Sequence, residues 1–147
     1  EAGPKVIEYN CRFGDPETQV VLPLLKSDLF SIMQSVAAGT LKEEDVVFSG
    51  DSACCVVLAS QGYPGKYETG FPLTMTPEAA AHTYIAGARE KDGVLVTAGG
   101  RVAGVTAAAE TLPEAVREAY RLAEGVRFTN RYCRKDIGAK ALKAWED

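Results

Sequence analysis

Apolar residues recur along this 147-residue chain with two different periods, and the changes of period mark out its elements. Across Val6–Phe13 the period is two: Ile7, Tyr9, Cys11 and Phe13 fall on one side, and Glu8, Asn10 and Arg12 on the other. That alternation predicts a strand with one face turned to a core. Glu17–Leu25 is mostly apolar and predicts a short helix that Pro23 kinks or ends. From Leu29 the spacing becomes helical through Ile32, Met33, Val36 and Ala37, with Ser27 as the expected N-cap and Gly39 as the stop. Leu41–Gly50, with three acidic residues in a row, reads as a connector and places a boundary near residue 50.

Beyond that boundary, Ala53–Ser60 is continuously apolar and predicts a strand buried on both faces. Gly62-Tyr63-Pro64-Gly65 requires a tight turn, and Thr76-Pro77-Glu78 opens a short helix. Thr83–Ala86 is a short strand. Val94–Thr97 and Arg101–Ala107 are expected to pair as a hairpin through Ala98-Gly99-Gly100. Thr111, Pro113 and Glu114 have capping-box spacing, and Val116, Ala119, Tyr120 and Ala123 line one face of the helix that follows. Arg127–Lys140 then leads into a terminal helix. Helices and strands mix without a regular βαβ rhythm, so the expected class is α+β, mainly antiparallel sheet with helices.

Composition narrows the picture. With 46% apolar and 24% charged residues the chain has the make-up of a soluble globular domain, and no apolar run approaches the roughly 20 residues that span a bilayer, so no membrane association is expected. The net charge is −4, yet Arg117–Lys143 holds 8 basic residues against 3 acidic ones. Basic and aromatic residues do not interleave there, which suits a small anion better than a nucleic acid. Cys11, Cys54, Cys55 and Cys133 match no metal-knuckle spacing and are expected to be buried free thiols in the cytoplasm. The chain opens without Met and runs almost at once into a predicted strand, so it is expected to be a piece of a longer protein whose N-terminal portion is missing here.

The polar face of the first strand suggests chemistry. Glu8 and Asn10 offer oxygens to a hard divalent cation, and the Arg12 guanidinium suits an adjacent phosphate; a solvated sheet face is the plainer alternative. The continuation, Arg12-Phe13-Gly14-Asp15-Pro16-Glu17-Thr18-Gln19, resembles the signature of the glycinamide ribonucleotide synthetase family of ATP-grasp ligases. Three further blocks resemble that family in order: Ser60–Gly70 (SQGYPGKYETG), Val96–Ala107 (VTAGGRVAGVTA) and Tyr132–Leu142 (YCRKDIGAKAL).

The resemblance implies that residues 1–50 are the C-terminal piece of an ATP-grasp domain and residues 51–147 a C-terminal α+β domain. It implies a purine-biosynthesis ligase that joins glycine to 5-phosphoribosylamine, with ATP split to ADP and phosphate by way of a glycyl phosphate. A fragment of this extent is expected to be inactive alone. Glu8 and Asn10 match the family's metal positions, for Mg²⁺ or Mn²⁺, and Arg12 follows as a catalytic and nucleotide-binding donor. Asp15 and Glu17 either meet the substrate amine as catalytic groups or merely cap the next helix. Arg101, Arg134, Lys135 and Gly138 are the expected site for a substrate phosphate, with an exposed hairpin arginine and a solvated turn as the alternatives. His82, the sole histidine, is given no catalytic role.

One departure stands out. Where the family usually shows Phe-His-Ala-Gly-Thr, this chain has Tyr84-Ile85-Ala86-Gly87-Ala88, without imidazole or hydroxyl. A non-catalytic assembly domain of a multifunctional purine enzyme is the alternative function, and an ATP-grasp ligase or carboxylase of different substrate is disfavoured by Asp15-Pro16-Glu17. Homodimerisation through the first strand is a further expectation.

Overall fold

A computed structural model describes residues 3–146. Its centre is a four-stranded antiparallel sheet in the order β3-β6-β1-β8, formed by β1 (Ser52–Ser60), β3 (Thr83–Ile85), β6 (Arg101–Ala109) and β8 (Arg131–Tyr132). The long pair β1 and β6 runs in register from Ser52 opposite Ala109 to Leu58 opposite Ala103, then shifts so that Ala59 faces Arg101 and Val102 is skipped. An extra residue of this kind bends a strand and re-aims the side chains beside it.

The helix α4 (Leu112–Ala123) packs across one face of this sheet. Ala115, Val116, Ala119, Leu122 and Ala123 are its buried stripe, and they meet Cys54, Val56 and Leu58 of β1 and Val105 of β6. Val56 and Leu58 on the α4 face of β1 are wholly buried, as are Val102 and Val105 of β6, whereas on the other face Cys55 and Ala59 are buried and Val57 only half-buried, so the expected cover on both sides is met in part. Thr111 precedes α4 as expected, but its hydroxyl donates to the Glu114 carboxylate at 2.8 Å instead of accepting from the backbone.

Two smaller ribbons complete the domain. β2 (Thr74–Met75) pairs with β7 (Val126–Arg127), and β4 (Ala88–Lys91) with β5 (Val94–Thr97). The expected hairpin of Val94–Thr97 with Arg101–Ala107 is therefore not formed. β5 turns back on β4 through Asp92 and Gly93, both at positive φ (51° and 76°), as a two-residue turn between right-twisted strands requires. Gly99 and Gly100 instead form a corner packed against Gly87, where a Cβ would lie 2.4 Å from the Arg101 carbonyl. Between these ribbons, α3 (Pro77–Ala80) is capped by the Thr76 hydroxyl, which accepts from the Ala79 N–H at 3.2 Å.

The first fifty residues differ more from expectation. No strand forms over Val6–Phe13: the segment is unpaired and bends at Cys11 and Arg12, and Ile7 and Tyr9 are 97% and 83% exposed. Alternation specifies faces, but a strand also needs a partner for its backbone groups, and none is present among the described residues. The chain then forms α1 (Thr18–Val21), a 3₁₀ turn over Leu22–Leu24 and α2 (Leu29–Ala38). Asp28, not Ser27, caps α2, its carboxylate accepting from the Ser31 N–H at 2.7 Å, while the Ser27 hydroxyl accepts from the Val47 N–H at 2.8 Å. Gly39 ends α2 in the left-handed region, φ 67°. No described helix is long and apolar enough to cross a membrane.

Candidate functional site

The face of the sheet opposite α4 carries a groove of about 480 Å³. Cys55, Val57 and Ala59 of β1 form its floor, since alternation sends them away from the helix. Tyr63 and Pro64 close one end, Pro16 and Arg101 bound one side, and Tyr132, Cys133, Arg134 and Ile137 supply the other walls. Each of the four motif blocks thus contributes to one concavity, although Pro16 and Ile137 are far apart in sequence.

Local packing explains how each block reaches the groove. The Ser60 hydroxyl donates to the Gly99 carbonyl at 3.0 Å and the Ser60 N–H to the Gly100 carbonyl at 2.8 Å, which ties the end of β1 to the glycine corner. The Tyr63 ring lies on Gly100, where a Cβ would fall 2.0 Å from a ring carbon. On the far side, the Tyr120 hydroxyl of α4 donates to the Arg134 carbonyl at 2.7 Å and accepts from the Ile137 N–H at 3.1 Å. These two bonds fix the Arg134–Ile137 turn, and burial of the phenol pushes its pKa up against the opposing effect of the Ile137 bond. The left-handed Gly138 (φ 82°) follows; a Cβ there would lie 2.9 Å from a Val116 methyl, so its close approach is to α4.

The charged residues expected at the site are mostly paired. Arg134 holds Asp136 in a two-point bond, Nε to Oδ1 at 2.8 Å and a terminal nitrogen to Oδ2 at 2.7 Å, which holds the Asp136 carboxyl below its usual range. Arg101 contacts Asp15 at two points, its carbonyl at 2.9 Å and its carboxylate at 3.1 Å. Arg121 bridges Glu118 and Glu78, and Arg131 pairs with Glu124. Of the eight basic residues of Arg117–Lys143, Arg121, Arg131 and Arg134 are thus paired with carboxylates among the described residues, and of their partners only Glu78 lies outside that stretch, so the local excess of positive charge remains. Lys135 is exposed and lines neither the groove nor the adjoining cavity of about 460 Å³ beside Gly138.

A second concavity, about 690 Å³, lies along the N-terminal signature and is lined by Arg12, Phe13, Asp15, Gln19, Tyr84 and Ile85 among others. Ile85, which stands where the resemblance implies a histidine, lines this cavity. Upstream, Glu8, Asn10 and Arg12 do share one side: the Asn10 amide donates to Glu8 at 3.0 Å, and Arg12 donates to the Asn10 oxygen at 2.9 Å. Glu17 is exposed and folds back over Gly14, while Gln19 donates to Asp15 at 2.9 Å. Among the described residues no three of His, Cys, Asp and Glu gather as a metal cluster. Glu8 and Asn10 each present an oxygen of the kind a hard cation takes, but here the Glu8 oxygen accepts from Asn10 and the Asn10 oxygen from Arg12, so a cation would have to displace the guanidinium.

Sequence reasoning did not single out Tyr63, Pro64, Cys55 and Tyr132 as groove-lining. Tyr63 and Pro64 stood in a recognised block but read only as a turn. Cys54 and Cys55 are buried as expected, whereas Cys133 is half-buried in the groove wall and Cys11 is exposed, because no strand forms there. Burial pushes the Cys54 thiol up to about 11 and raises that of Cys55 as well, where the Asp15 charge adds to it. A thiol reagent at pH 8 should therefore modify Cys11 rapidly and Cys54 and Cys55 only after unfolding; Cys11→Ser should remove the fast phase, and rapid modification of three thiols would contradict the packing of β1. Above about pH 9 the unfolded chain ionises Cys54 first, so stability should decline between pH 9 and about 11.

Comparison with known proteins agrees with this geometry. Residues 53–140 match the family described as phosphoribosylglycinamide synthetase, C domain. A phosphoribosylamine–glycine ligase from Agrobacterium fabrum is 49% identical over 142 residues, covering 95% of this chain and 34% of the relative. The trifunctional purine biosynthetic protein adenosine-3 of Bos taurus is 49% identical over 144 residues, of which this chain covers 14%. The crystal structure of phosphoribosylamine–glycine ligase from Thermotoga maritima superposes with a TM-score of 0.79 at 42% identity, over 91% of this chain and 33% of that one. The chain spans about a third of the length of the single-function ligases it matches. With residues 53–140 matched to that family and the mixed fold of helices and antiparallel sheets shared with a solved relative, the chain belongs to the phosphoribosylglycinamide synthetase C-domain family.

Proposed function

We propose that this chain is the C-terminal part of an ATP-dependent phosphoribosylamine–glycine ligase, acting in the cytoplasm on ATP, glycine and 5-phosphoribosylamine. The observation that carries this assignment is the convergence of four separate motif blocks on one groove, in a chain 49% identical over 95% of its length to a protein named as that ligase. Residues 1–50 are assigned to the end of an ATP-grasp domain and 51–147 to the C-terminal domain that packs beside it.

The reaction must bring several anionic oxygens together, so its barrier is lowered by cationic groups placed in advance. Glu8 and Asn10 would hold Mg²⁺ or Mn²⁺, and the bound ion would neutralise charge on the nucleotide phosphates. Arg12, beside them on the same side, binds a phosphoryl or carboxylate oxygen. Asp15 and Glu17 lie on the turn that follows and face the substrate amine. Arg134, on the turn held by Tyr120, takes the phosphate of phosphoribosylamine, with Lys135 adding positive charge from the same turn though it lines neither cavity, and Gly138 allowing the turn to close on α4. Arg101 adds positive charge to the opposite wall while bound to Asp15. An unpaired apolar surface at Ile7 and Tyr9 is the natural interface for a homodimer.

The test uses the complete gene product. ADP formation should depend on glycine and phosphoribosylamine together, and Glu8→Ala and Asn10→Ala should each lower turnover at least tenfold at limiting magnesium without changing the unfolding midpoint, because both side chains are exposed. Normal turnover across a magnesium titration would return both residues to solvent. A second reading, an assembly domain without catalysis, draws on the trifunctional relative; it would be favoured if the complete product formed no ADP yet bound a neighbouring purine enzyme.

A further inference from the structure

We propose that Arg101 is a positioning residue that clamps the signature turn Gly14–Pro16 onto the C-terminal sheet, instead of a ligand for substrate phosphate. The proposal deepens the ligase assignment above and rests on it for the role of Asp15.

Four features of the geometry point to the clamp. The register shift that skips Val102 sits immediately beside Arg101, where a bulge turns the side chain out of the regular alternation. The Arg101 backbone is held from the neighbouring chain, its carbonyl accepting from the Gly87 N–H at 2.8 Å while the Val102 carbonyl accepts from Ala86 at 3.0 Å. With its base fixed in this way, the guanidinium reaches across 86 positions of sequence to grip Asp15 at both its carbonyl and its carboxylate, 2.9 and 3.1 Å away. The other carboxylate oxygen accepts from Gln19 at 2.9 Å, so both Asp15 oxygens are engaged by the protein.

The clamp also stands alone. Among the described residues, no other hydrogen bond or ion pair joins residues 3–48 to residues 52–146; the remaining adhesion is the packing of α1 and the Leu22–Leu24 turn against β1 and β6. A bidentate guanidinium contact of this sort fixes orientation as well as distance. Its consequence is that Asp15 takes its place on the rim between the two concavities only when β6 presents Arg101, which links the shape of the C-terminal domain to that of the signature turn.

Hydrogen exchange on this 147-residue protein tests the clamp without any need for activity. In Arg101→Gln, the amides of Thr18, Val20, Val21 and Leu25, all donors to nearby carbonyls, should exchange about three- to tenfold faster, while amides of β1 and α4 keep their rates. Asp15→Asn should produce a similar change, and the double variant should be no faster than the more affected single one. Arg101→Lys, which keeps the charge and loses the fork, should recover part of the protection. Unchanged exchange in Arg101→Gln, or additive effects in the double variant, would overturn the clamp. In the complete ligase, a phosphate ligand at 101 would raise KM for phosphoribosylamine in a way Asp15→Asn does not copy, and that result too would overturn it. The clamp expects both variants to lower kcat alike. Failure of the ligase assignment would show instead as absent ADP formation in the unsubstituted protein, with the exchange result still deciding the clamp.

Discussion

Replacing Leu58 with alanine is expected to destabilise the fold by about 2–5 kcal/mol, the largest stability change that a single truncation in β1 should produce. Leu58 is wholly buried and belongs to the cluster in which β1 meets α4 and β6. The deletion removes apolar surface and leaves a cavity that a strand held between β6 and β8 and covered by a helix cannot easily collapse. Domains of this size are stable by only about 5–15 kcal/mol, so the loss is a large fraction of the total. Urea denaturation followed by circular dichroism would measure it. Val57→Ala, on the groove face and half-buried, should cost less, and Val36→Ala, 59% exposed on α2, should change stability by less than about 0.5 kcal/mol. Equal costs at Leu58 and Val36 would mean that the core does not lie between β1 and α4.

In the complete ligase, Arg134→Ala is expected to raise KM for phosphoribosylamine by about 10- to 150-fold while leaving KM for ATP and glycine nearly unchanged. A charge-assisted hydrogen bond to a phosphate is worth on the order of 1.5–3 kcal/mol, and each 1.4 kcal/mol is about a factor of ten. Arg134 is bonded to Asp136 on an exposed turn, so phosphate binding exchanges one carboxylate partner for a dianion. Asp136→Asn should on that account tighten substrate binding, in the opposite direction to Arg134→Ala. Steady-state kinetics with each substrate varied in turn would separate the outcomes. Equal increases for all three substrates would indicate general damage where the domains meet, and no change would make the turn a solvated one.

Much of this architecture was legible along the chain because its signals are local. The continuous apolar run 53–60 specifies a central strand, the helical spacing after Thr111 specifies the buried stripe of α4, and Thr76 and Gly39 cap their helices as their chemistry requires. The Asp92-Gly93 pair was also a local signal, a two-residue turn that joins β4 to β5, and it went unused beside the more conspicuous Gly99-Gly100. Asp28 took the cap from Ser27 because Ser27 was drawn into a bond with Val47, a choice made by residues 20 positions apart.

Sequence by itself determined which faces are apolar, where the chain turns and which motif blocks it carries, because side-chain periodicity and backbone preference act over a few residues. Only the tertiary structure decided which strands pair, that Val6–Phe13 stays unpaired, and that Arg101 meets Asp15 while Arg134 meets Asp136. A period of two names a face without naming a neighbour, and a guanidinium in a sequence is equally suited to a phosphate or a carboxylate. Which one it receives depends on the groups that the folded sheet, here bent by one skipped residue at Val102, brings within about 3 Å of it.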